Sequence, residues 1–404
     1  MSRRSTARAT AAAALALLLL LAAGCGGGND AERAGTEPIR GTKLTIYANA
    51  PGGGPDAAPG RAIAQGARLA LDERRGRAGR YSVAFKALSG EPNEGGARKS
   101  GRVAVQDTTS VGYIGEVDSQ LTKITIPQMN LGGVAHIGPT NSYTGLTSGG
   151  PGAEVGEPGR YYRTGVRTFA RLVPRDSLQG EALALAAREA GCRRVRIWRS
   201  NSPYGQGLAK TAGSAAGDAG LDVAGTDEIK PQQPSYARQA REIDADCLIW
   251  TGEPERSGVQ ILNDAAEGNP ALKLFSGSEH CQPGPAELPR LQCTHPVVEP
   301  RSGRGREVLD RYRDRFGEGG PADAYAVYGY EAMMVLLAAI EKAAEDGGQV
   351  SRAAVSEAVY DLGPRDGALG RYEIDSSGDV DLRSFGLYRL EGGRLRLEKV
   401  LQAG

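Results

Sequence analysis

Short apolar runs alternate with longer amphipathic stretches along most of the chain. In the first half, the runs at residues 43–48, 82–88, 111–114 and 134–137 are rich in β-branched and aromatic side chains, which predicts buried strands. The stretches between them predict helices at residues 60–73, 94–107 and 120–129. This βαβ alternation favours a parallel sheet with helices on both faces.

The same pattern starts again after residues 163–174. It predicts helices at 177–190, 204–219 and 235–243 and strands at 195–198, 222–229, 248–250 and 272–275. A long apolar helix at 324–345, a helix at 352–360 and two strands at 384–390 and 394–400, which meet at Gly392 and Gly393, complete the prediction. The fold class is therefore α/β, with two doubly wound, Rossmann-like parallel-sheet lobes, and the length of 404 residues also favours two domains.

The first residues have the pattern of an export signal. Three arginines precede an apolar run at 11–21, and Leu21-Ala22-Ala23-Gly24-Cys25 has the form of a lipobox. We therefore predict a signal peptide at 1–24, a lipid on Cys25, a flexible linker at 25–42 and an extracytoplasmic, membrane-anchored protein. An ordinary secretory signal or a membrane-spanning helix is the alternative, but the run is shorter than the roughly 20 residues of a span. No second apolar run is predicted to reach that length.

Charge excludes one class of partner. Lys and Arg number 49 and Asp and Glu 48, so the chain is nearly neutral, and the basic residues form no stripe. Nucleic-acid binding needs such a stripe to neutralise phosphates, and it is not predicted.

The five cysteines include Cys25, and the remaining four can pair in three ways. Cys192 and Cys247 each stand at the start of a predicted strand, so neighbouring parallel strands would bring them together. Cys281 and Cys293 bracket a Pro-rich segment, 280–295, in which no helix or strand is predicted, and a local disulfide would order it. The alternative for this second pair is a zinc site with His280 and His295, but an oxidising compartment favours the disulfide, and no metal is predicted.

Wound sheets bind ligands beyond the carboxyl ends of their strands, so two facing units would share one cleft. The predicted strand ends are residues 49–53, 116–119, 138–142, 200–204, 251–253 and 277–279.

These positions carry a set of motifs in a characteristic order. They are Gly66-Ala67-Arg68-Leu69-Ala70, Tyr113-Ile114-Gly115-Glu116, Ile126-Pro127, Gly138-Pro139-Thr140-Asn141-Ser142, residues 161–174, Tyr204-Gly205-Gln206-Gly207-Leu208-Ala209, Phe275-Ser276-Gly277-Ser278-Glu279 and the turn at 372–379. In this order the chain resembles the type 1 periplasmic-binding-protein family, in particular the branched-chain amino acid substrate-binding lipoproteins of ATP-driven importers. The resemblance implies lobes joined by three crossover segments. Lobe 1 would hold residues 43–172 and 300–370, and lobe 2 residues 173–299 and 371–404.

The resemblance also implies a binding site. The hydroxyls of Ser119, Thr140 and Ser142 would hold the carboxylate of an amino-acid-like ligand, Glu279 would hold its ammonium, and Tyr204 would close the cleft over both. An ABC permease would receive the ligand. The alternative within the same fold is a tethered sensor that reports the ligand to a signalling partner.

Two features depart from the family pattern. Gly252 and Glu253 follow the strand at 248–250 where close relatives often carry an aromatic residue, and Asp118 stands beside the first hydroxyl. Both acids would favour a more cationic or polar solute.

Catalysis is not predicted. The three histidines, His136, His280 and His295, lie near no Ser or Cys nucleophile motif, and the chain has no phosphate loop or dinucleotide fingerprint. The acids at 375, 379 and 381 do not have the spacing of a helix-loop-helix calcium site. We therefore expect no cofactor.

Overall fold

The computed structural model describes residues 35–254, 257–281, 288, 290–317, 320, 322–391 and 394–404. It contains a six-stranded and a seven-stranded sheet, both mainly parallel, which follow one another along the chain. Cys25 and the rest of the predicted signal peptide lie outside the described residues, as does the predicted turn at 392–393.

The first sheet has the spatial order β2-β3-β1-β4-β5-β6. Its strands are β1 (Lys43–Asn49), β2 (Arg77–Ala78), β3 (Tyr81–Leu88), β4 (Ser110–Ile114), β5 (Ala135–Gly138) and β6 (Phe169–Arg171). The helices of this part are α1 (Ala57–Glu73), α2 (Glu94–Gln106) and α3 (Ser119–Gly132). All pairs are parallel except the short β2 with β3.

The second sheet has the order β15-β14-β11-β10-β9-β7-β8. Its strands are β7 (Arg194–Arg199), β8 (Asp222–Glu228), β9 (Cys247–Thr251), β10 (Lys273–Ser276), β11 (Leu291–His295), β14 (Ser384–Glu391) and β15 (Arg394–Gln402), and a separate small hairpin is formed by β12 (Arg365–Gly367) and β13 (Gly370–Tyr372). The later helices are α4 (Asp176–Glu189), α5 (Pro203–Asp218), α6 (Ala237–Arg241), α7 (Gly258–Gly268), α8 (Gly303–Phe316), α9 (Asp323–Ala343) and α10 (Arg352–Tyr360). The strands β14 and β15 run antiparallel at the edge.

Helix α9 is the core of the first lobe. Its length and composition would suit a membrane span, so the prediction that no second apolar segment reaches that length was wrong, but 78% of its most apolar window is buried inside the protein. It packs against α1 with the two backbones in close approach. A Cβ atom on Gly66 would lie 1.9 Å from the Ala326 carbonyl oxygen, and one on Gly329 would lie 2.1 Å from the Ile63 carbonyl oxygen. Only glycine fits at these two crossings.

The chain passes between the two sheets after β6, after β11 and before β14. The predicted division of the lobes remains a prediction, and the packing adds detail to it. Tyr372, Ile374 and Val380 belong to the same apolar core as β1 and α9, so this segment packs with the first lobe rather than with residues 384–404.

Both predicted disulfides are confirmed. Cys192 pairs with Cys247, with Cα atoms 6.1 Å apart, and Cys281 pairs with Cys293, with Cα atoms 5.6 Å apart. The first joins the starts of neighbouring parallel strands, as predicted, because β7 lies directly beside β9. The expectation that the segment 280–295 holds no strand was wrong: residues 291–295 form β11, which pairs with β10 and β14. Val, Ile and Leu are scarce there, so the pattern gave little strand signal.

A fully buried arginine connects the crossover segments. The Arg171 guanidinium donates to the carbonyl oxygens of Asn141 (2.7 Å) and Tyr143 (3.0 Å) and lies 2.9 Å from the Asp379 carboxylate. Arg175 approaches the other Asp379 oxygen at 2.8 Å. Burial raises the pKa of Asp379, but the two arginines and a hydrogen bond from Thr147 outweigh it and hold the pKa below its usual value. The carboxylate is therefore ionised and fixes the loop after β5.

We expect Arg171→Met to lower the free energy of unfolding by about 3 to 5 kcal/mol, because a buried carboxylate then loses its main counter-charge. The matched control is Arg175→Met, whose side chain is 37% exposed and which should cost about 1 kcal/mol or less. Urea unfolding of both variants measures the difference. If both variants lost the same small amount of unfolding free energy, the buried Arg171–Asp379 pair would not be what holds the crossover segments together.

Candidate functional site

The carboxyl ends of β1, β4 and β5 point to the same edge of the first sheet, and the segments that follow them carry polar side chains. Asp56 directly precedes α1, Asp118 directly precedes α3, and the loop 139–142 follows β5. Parallel strands place such segments together.

Ser119 is the first residue of α3, but it does not cap the helix. The cap is Asp118, whose carboxylate accepts the Gln120 N–H at 2.6 Å. The Ser119 hydroxyl oxygen accepts the Tyr143 N–H at 3.4 Å, which brings it to the loop after β5. This bond uses an oxygen lone pair, so the hydroxyl proton remains for a ligand.

The other two predicted hydroxyls contact protein groups. Thr140 donates to the Val117 carbonyl oxygen at 3.1 Å, which ties its loop to the segment after β4. Burial raises the pKa of Asp176, the first residue of α4, to about 6, and the nearby Ser142 hydroxyl partly offsets this increase. The Thr140 hydroxyl would have to rotate before it could donate to a ligand, whereas the Ser119 hydroxyl proton is already available.

The second lobe contributes Tyr204 and Glu279. Tyr204 lies in the first turn of α5, is buried, and has its hydroxyl 3.4 Å from Gln179 Oε1. Glu279 is exposed in a short 3₁₀ turn, Ser278–His280, directly after β10. Burial, followed by the negative charges of Glu279 and Asp176, raises the pKa of Tyr204 well above its usual value. The structure therefore brings these two predicted residues together.

Tyr325 on α9 was missed by the sequence analysis. Its hydroxyl lies 3.4 Å from His295 Nε2 at the second crossover. Burial is the first cause of its raised pKa, and the charges of Tyr388, Asp56, Tyr328 and Glu279 add to the increase. The ring therefore lies beside His295, at the end of β11. In the sequence it looks like one more apolar position of a core helix, so nothing marked it.

Asp56 was also missed, because it lies in the Gly- and Pro-rich loop before α1. Its side chain is half-buried and makes no capping hydrogen bond to the helix. Burial and the nearby Asp118 charge raise its pKa to about 6. Glu116, buried after β4, responds in the same way: burial raises its pKa, and Asp118 and Asp56 add to the increase.

The departure at Gly252 and Glu253 has a packing explanation. A Cβ atom on Gly252 would lie 2.2 Å from the ring of Trp250, which is fully buried beside Trp198 in the next strand. The Trp250 ring of β9 thus fills the space that a side chain at position 252 would need. Glu253 is half-buried and accepts a hydrogen bond from the Ser200 hydroxyl at 2.8 Å.

The three histidines are buried, and burial lowers the pKa of each to about 4. They are therefore neutral at pH 7. His280 contacts the Ser276 hydroxyl at 3.0 Å, while Cys281 and Cys293 use their sulfur atoms in the disulfide. In the part of the chain that the structure describes, no three His, Cys, Asp or Glu side chains are placed to hold a metal ion.

Residues 45–393 match the family model described as periplasmic binding protein. The chain belongs to this family. It is therefore a solute-binding protein and not an enzyme. The Leu/Ile/Val-binding protein homolog 3 of Brucella melitensis is 23% identical over 369 residues, which are 87% of this chain and 92% of that protein.

Solved structures confirm the predicted fold class. A substrate-binding protein of an ABC transporter from Desulfitobacterium hafniense, in complex with Leu, has a TM-score of 0.70 at 20% identity, covering 88% of this chain and 99% of its own. A solute-binding protein from R. palustris in complex with benzoate has a TM-score of 0.64 at 16% identity, covering 90% and 96%. These two proteins share the fold and differ in ligand, so the fold alone does not identify the solute.

We expect Asp56→Asn to stabilise the ligand-free protein at pH 7 to 8. The folded-state pKa is raised from 3.8 to about 6, so ionised Asp56 disfavours folding above pH 6 and this cost vanishes below about pH 4. The gain should reach about 1 to 2 kcal/mol once solvent screening is included. Thermal unfolding between pH 4 and 8 measures it.

The matched control is Asp72→Asn at the other end of α1, where the carboxylate pairs with Arg315 at 2.6 Å. It should show no gain at any pH. A pH-independent difference between Asp56→Asn and the wild type would contradict the assigned charge effect.

Proposed function

We propose that the chain captures one amino-acid-like zwitterion between its lobes and delivers it to an ABC importer. The observation that carries this proposal is the position of Glu279, which is exposed in the turn after β10 at the carboxyl edge of the second sheet, where its charge acts on the buried Tyr204. An exposed acid at this edge of the sheet suits a ligand ammonium, since a cation that leaves water needs an opposite charge.

The ligand carboxylate would lie against the first lobe. Ser119 donates its free hydroxyl proton, and Thr140 and Ser142 rotate from their protein partners to complete the set. The present hydrogen bond from Thr140 to the Val117 carbonyl oxygen keeps that hydroxyl satisfied until the ligand arrives. Tyr204 would then cover the ligand from the second lobe.

Glu279→Gln should weaken binding of the native solute by roughly ten- to a few-hundred-fold, because a hydrogen bond to a charged group contributes about 1.5 to 3 kcal/mol. Thermal stability should change little, since the side chain is exposed. The solute is found by a thermal-shift screen of amino acids, and calorimetry on the best hit gives the affinities.

The matched control is Glu189→Gln, at the far end of α4, where the carboxylate pairs with Lys399. It should bind like the wild type. Unchanged affinity in Glu279→Gln together with Tyr204→Ala would place the pocket elsewhere.

Delivery to an importer is favoured when the protein stays at the membrane that holds the permease. Two observations support an anchor: the Leu21–Cys25 lipobox and the linker that separates it from β1. A single acyl chain binds a membrane only marginally, whereas two or more hold a protein stably, which fits a diacylglyceryl cysteine. Co-purification with a permease supports import, and co-purification with a signalling receptor would favour the sensor alternative.

We expect the wild-type protein to partition with membranes and Cys25→Ser to be released or left unprocessed. Fractionation followed by intact-mass analysis of the mature chain measures both effects. Removal of the cysteine should leave solute binding unchanged, because none of the predicted ligand-contacting residues lies in the linker. A mature protein without a lipid adduct on Cys25 would refute the anchor.

A further inference from the structure

A glycine-rich loop of the first lobe touches a helix of the second lobe. The loop, residues 147–158, lies between two short 3₁₀ turns, Thr144–Leu146 and Gly159–Tyr161, and the helix is α5. A Cβ atom on Gly207 of α5 would lie 2.1 Å from the Cα atom of Gly152 and 2.3 Å from its nitrogen. Because no side chain fits into such a gap, two main chains are in direct contact here across the lobes.

The 147–158 loop is held by the first lobe. The Glu154 carboxylate lies 3.0 Å from Lys123 of α3 and 2.7 Å from Arg160. The buried Glu157 accepts hydrogen bonds from the Tyr143 hydroxyl at 2.8 Å and from the Glu154 N–H at 2.6 Å. These bonds tie the loop to itself and to α3, so it should move together with the first lobe.

Helix α5 is held by the second lobe. Leu208, Ala209 and Ala212 are buried in the same apolar core as Val195 and Ile197 of β7. The Thr251 hydroxyl, at the end of β9, donates to the Gly205 carbonyl oxygen at 3.0 Å. Neither the loop nor the helix can withdraw without breaking contacts inside its own lobe. The contact between them therefore limits how closely the two lobes approach.

Helix α5 itself gives no reason for glycine at position 207, since glycine in a helix interior is destabilising relative to alanine. The nearest atoms to a Cβ on Gly205 and on Gly213 belong to Ser200, Thr251 and Ile197 of the second lobe. A Cβ on Gly217 would meet no described atom within 4 Å. Gly207 is thus the glycine of α5 whose nearest neighbours lie in the first lobe.

Gly207 also lies close to a residue that the proposed function assigns to the ligand. It follows Tyr204 by three positions in α5, so the two residues share one face of the helix. In the proposed function, on which this inference rests, Tyr204 covers the solute from the second lobe. The distance between the loop and this face therefore sets the distance between Tyr204 and the first lobe.

We propose that Gly207 is a positioning residue for solute binding. Its contact with Gly152 sets the approach of the two lobes and, through α5, the place of Tyr204 over the solute. A side chain at position 207 would hold the lobes apart, so the closed form that binds tightly would be less populated. The apparent affinity falls in proportion to that population.

The test compares Gly207→Ala with Gly217→Ala, the same change at two positions of one helix. Alanine is the better helix former, so α5 should stay folded in both variants. Small-angle X-ray scattering without added solute should give a larger radius of gyration for Gly207→Ala alone. An equimolar mixture of the protein amino acids should raise the thermal midpoint of Gly217→Ala as much as that of the wild type. It should raise that of Gly207→Ala less, as expected for binding that is about tenfold weaker.

A second variant separates the contact from any effect within α5. Deletion of Pro151 and Gly152 shortens the loop at its contact point, where a loop tip tolerates such a change. In this background, Gly207→Ala should neither expand the protein nor weaken binding relative to the deletion alone. An effect confined to α5 would persist there.

The two proposals fail in different ways. If the amino acid mixture does not stabilise the wild type, the proposed function fails, and the role of Gly207 in binding fails with it. If Gly207→Ala and Gly217→Ala have the same radius of gyration, the contact is rejected whatever the mixture does. If Gly207→Ala is expanded but is stabilised by the mixture as strongly as the wild type, the contact does not govern binding. If its effect persists after the deletion, the assignment to Gly152 is wrong.

Discussion

The polar groups at the carboxyl edge of the first sheet depend on one constraint, the buried contact between Arg171 and Asp379. The guanidinium lies at the end of β6, where the chain leaves the first sheet, and its remaining donors hold the carbonyl oxygens of Asn141 and Tyr143. That loop carries Thr140 and Ser142, and the Tyr143 N–H positions Ser119. One desolvated cation therefore arranges the polar groups of the first lobe, and it remains stable there because its charge is compensated.

The second lobe reaches the same edge by different means. Here the disulfide Cys192–Cys247 joins the starts of β7 and β9, at the end of the sheet opposite the proposed cleft. The carboxyl ends of the strands carry the proposed ligand-binding side chains. Stability and recognition are thus placed at opposite ends of one parallel sheet. This separation is a general property of wound sheets, whose carboxyl ends are free to vary.

The sequence pattern was sufficient for most of the long strands and helices and for their order, but it missed helix α7 and the short strands β2, β6, β12 and β13. Buried parallel strands have the pattern of apolar runs. In an oxidising compartment, the disulfide Cys192–Cys247 followed from the strand starts and Cys281–Cys293 from the Pro-rich segment that the two cysteines bracket. The pattern failed for β11, which is short and polar at alternate positions. It also could not show which lobe the segment 372–380 packs against, because that depends on tertiary contacts. Contacts within the site were also beyond it: no periodicity shows that Thr140 donates to Val117 or that Asp56 leaves α1 uncapped. Those facts depend on side-chain direction.

The two tryptophans give the molecule a built-in optical property. Trp198 and Trp250 are the only indoles in the sequence, and both are buried in neighbouring strands of the second sheet, with Trp250 packed under the segment that leads to Glu253. Their emission therefore reports on one lobe alone, whereas circular dichroism averages over both. Comparing the two signals during unfolding would show whether the lobes melt as one cooperative unit or as two.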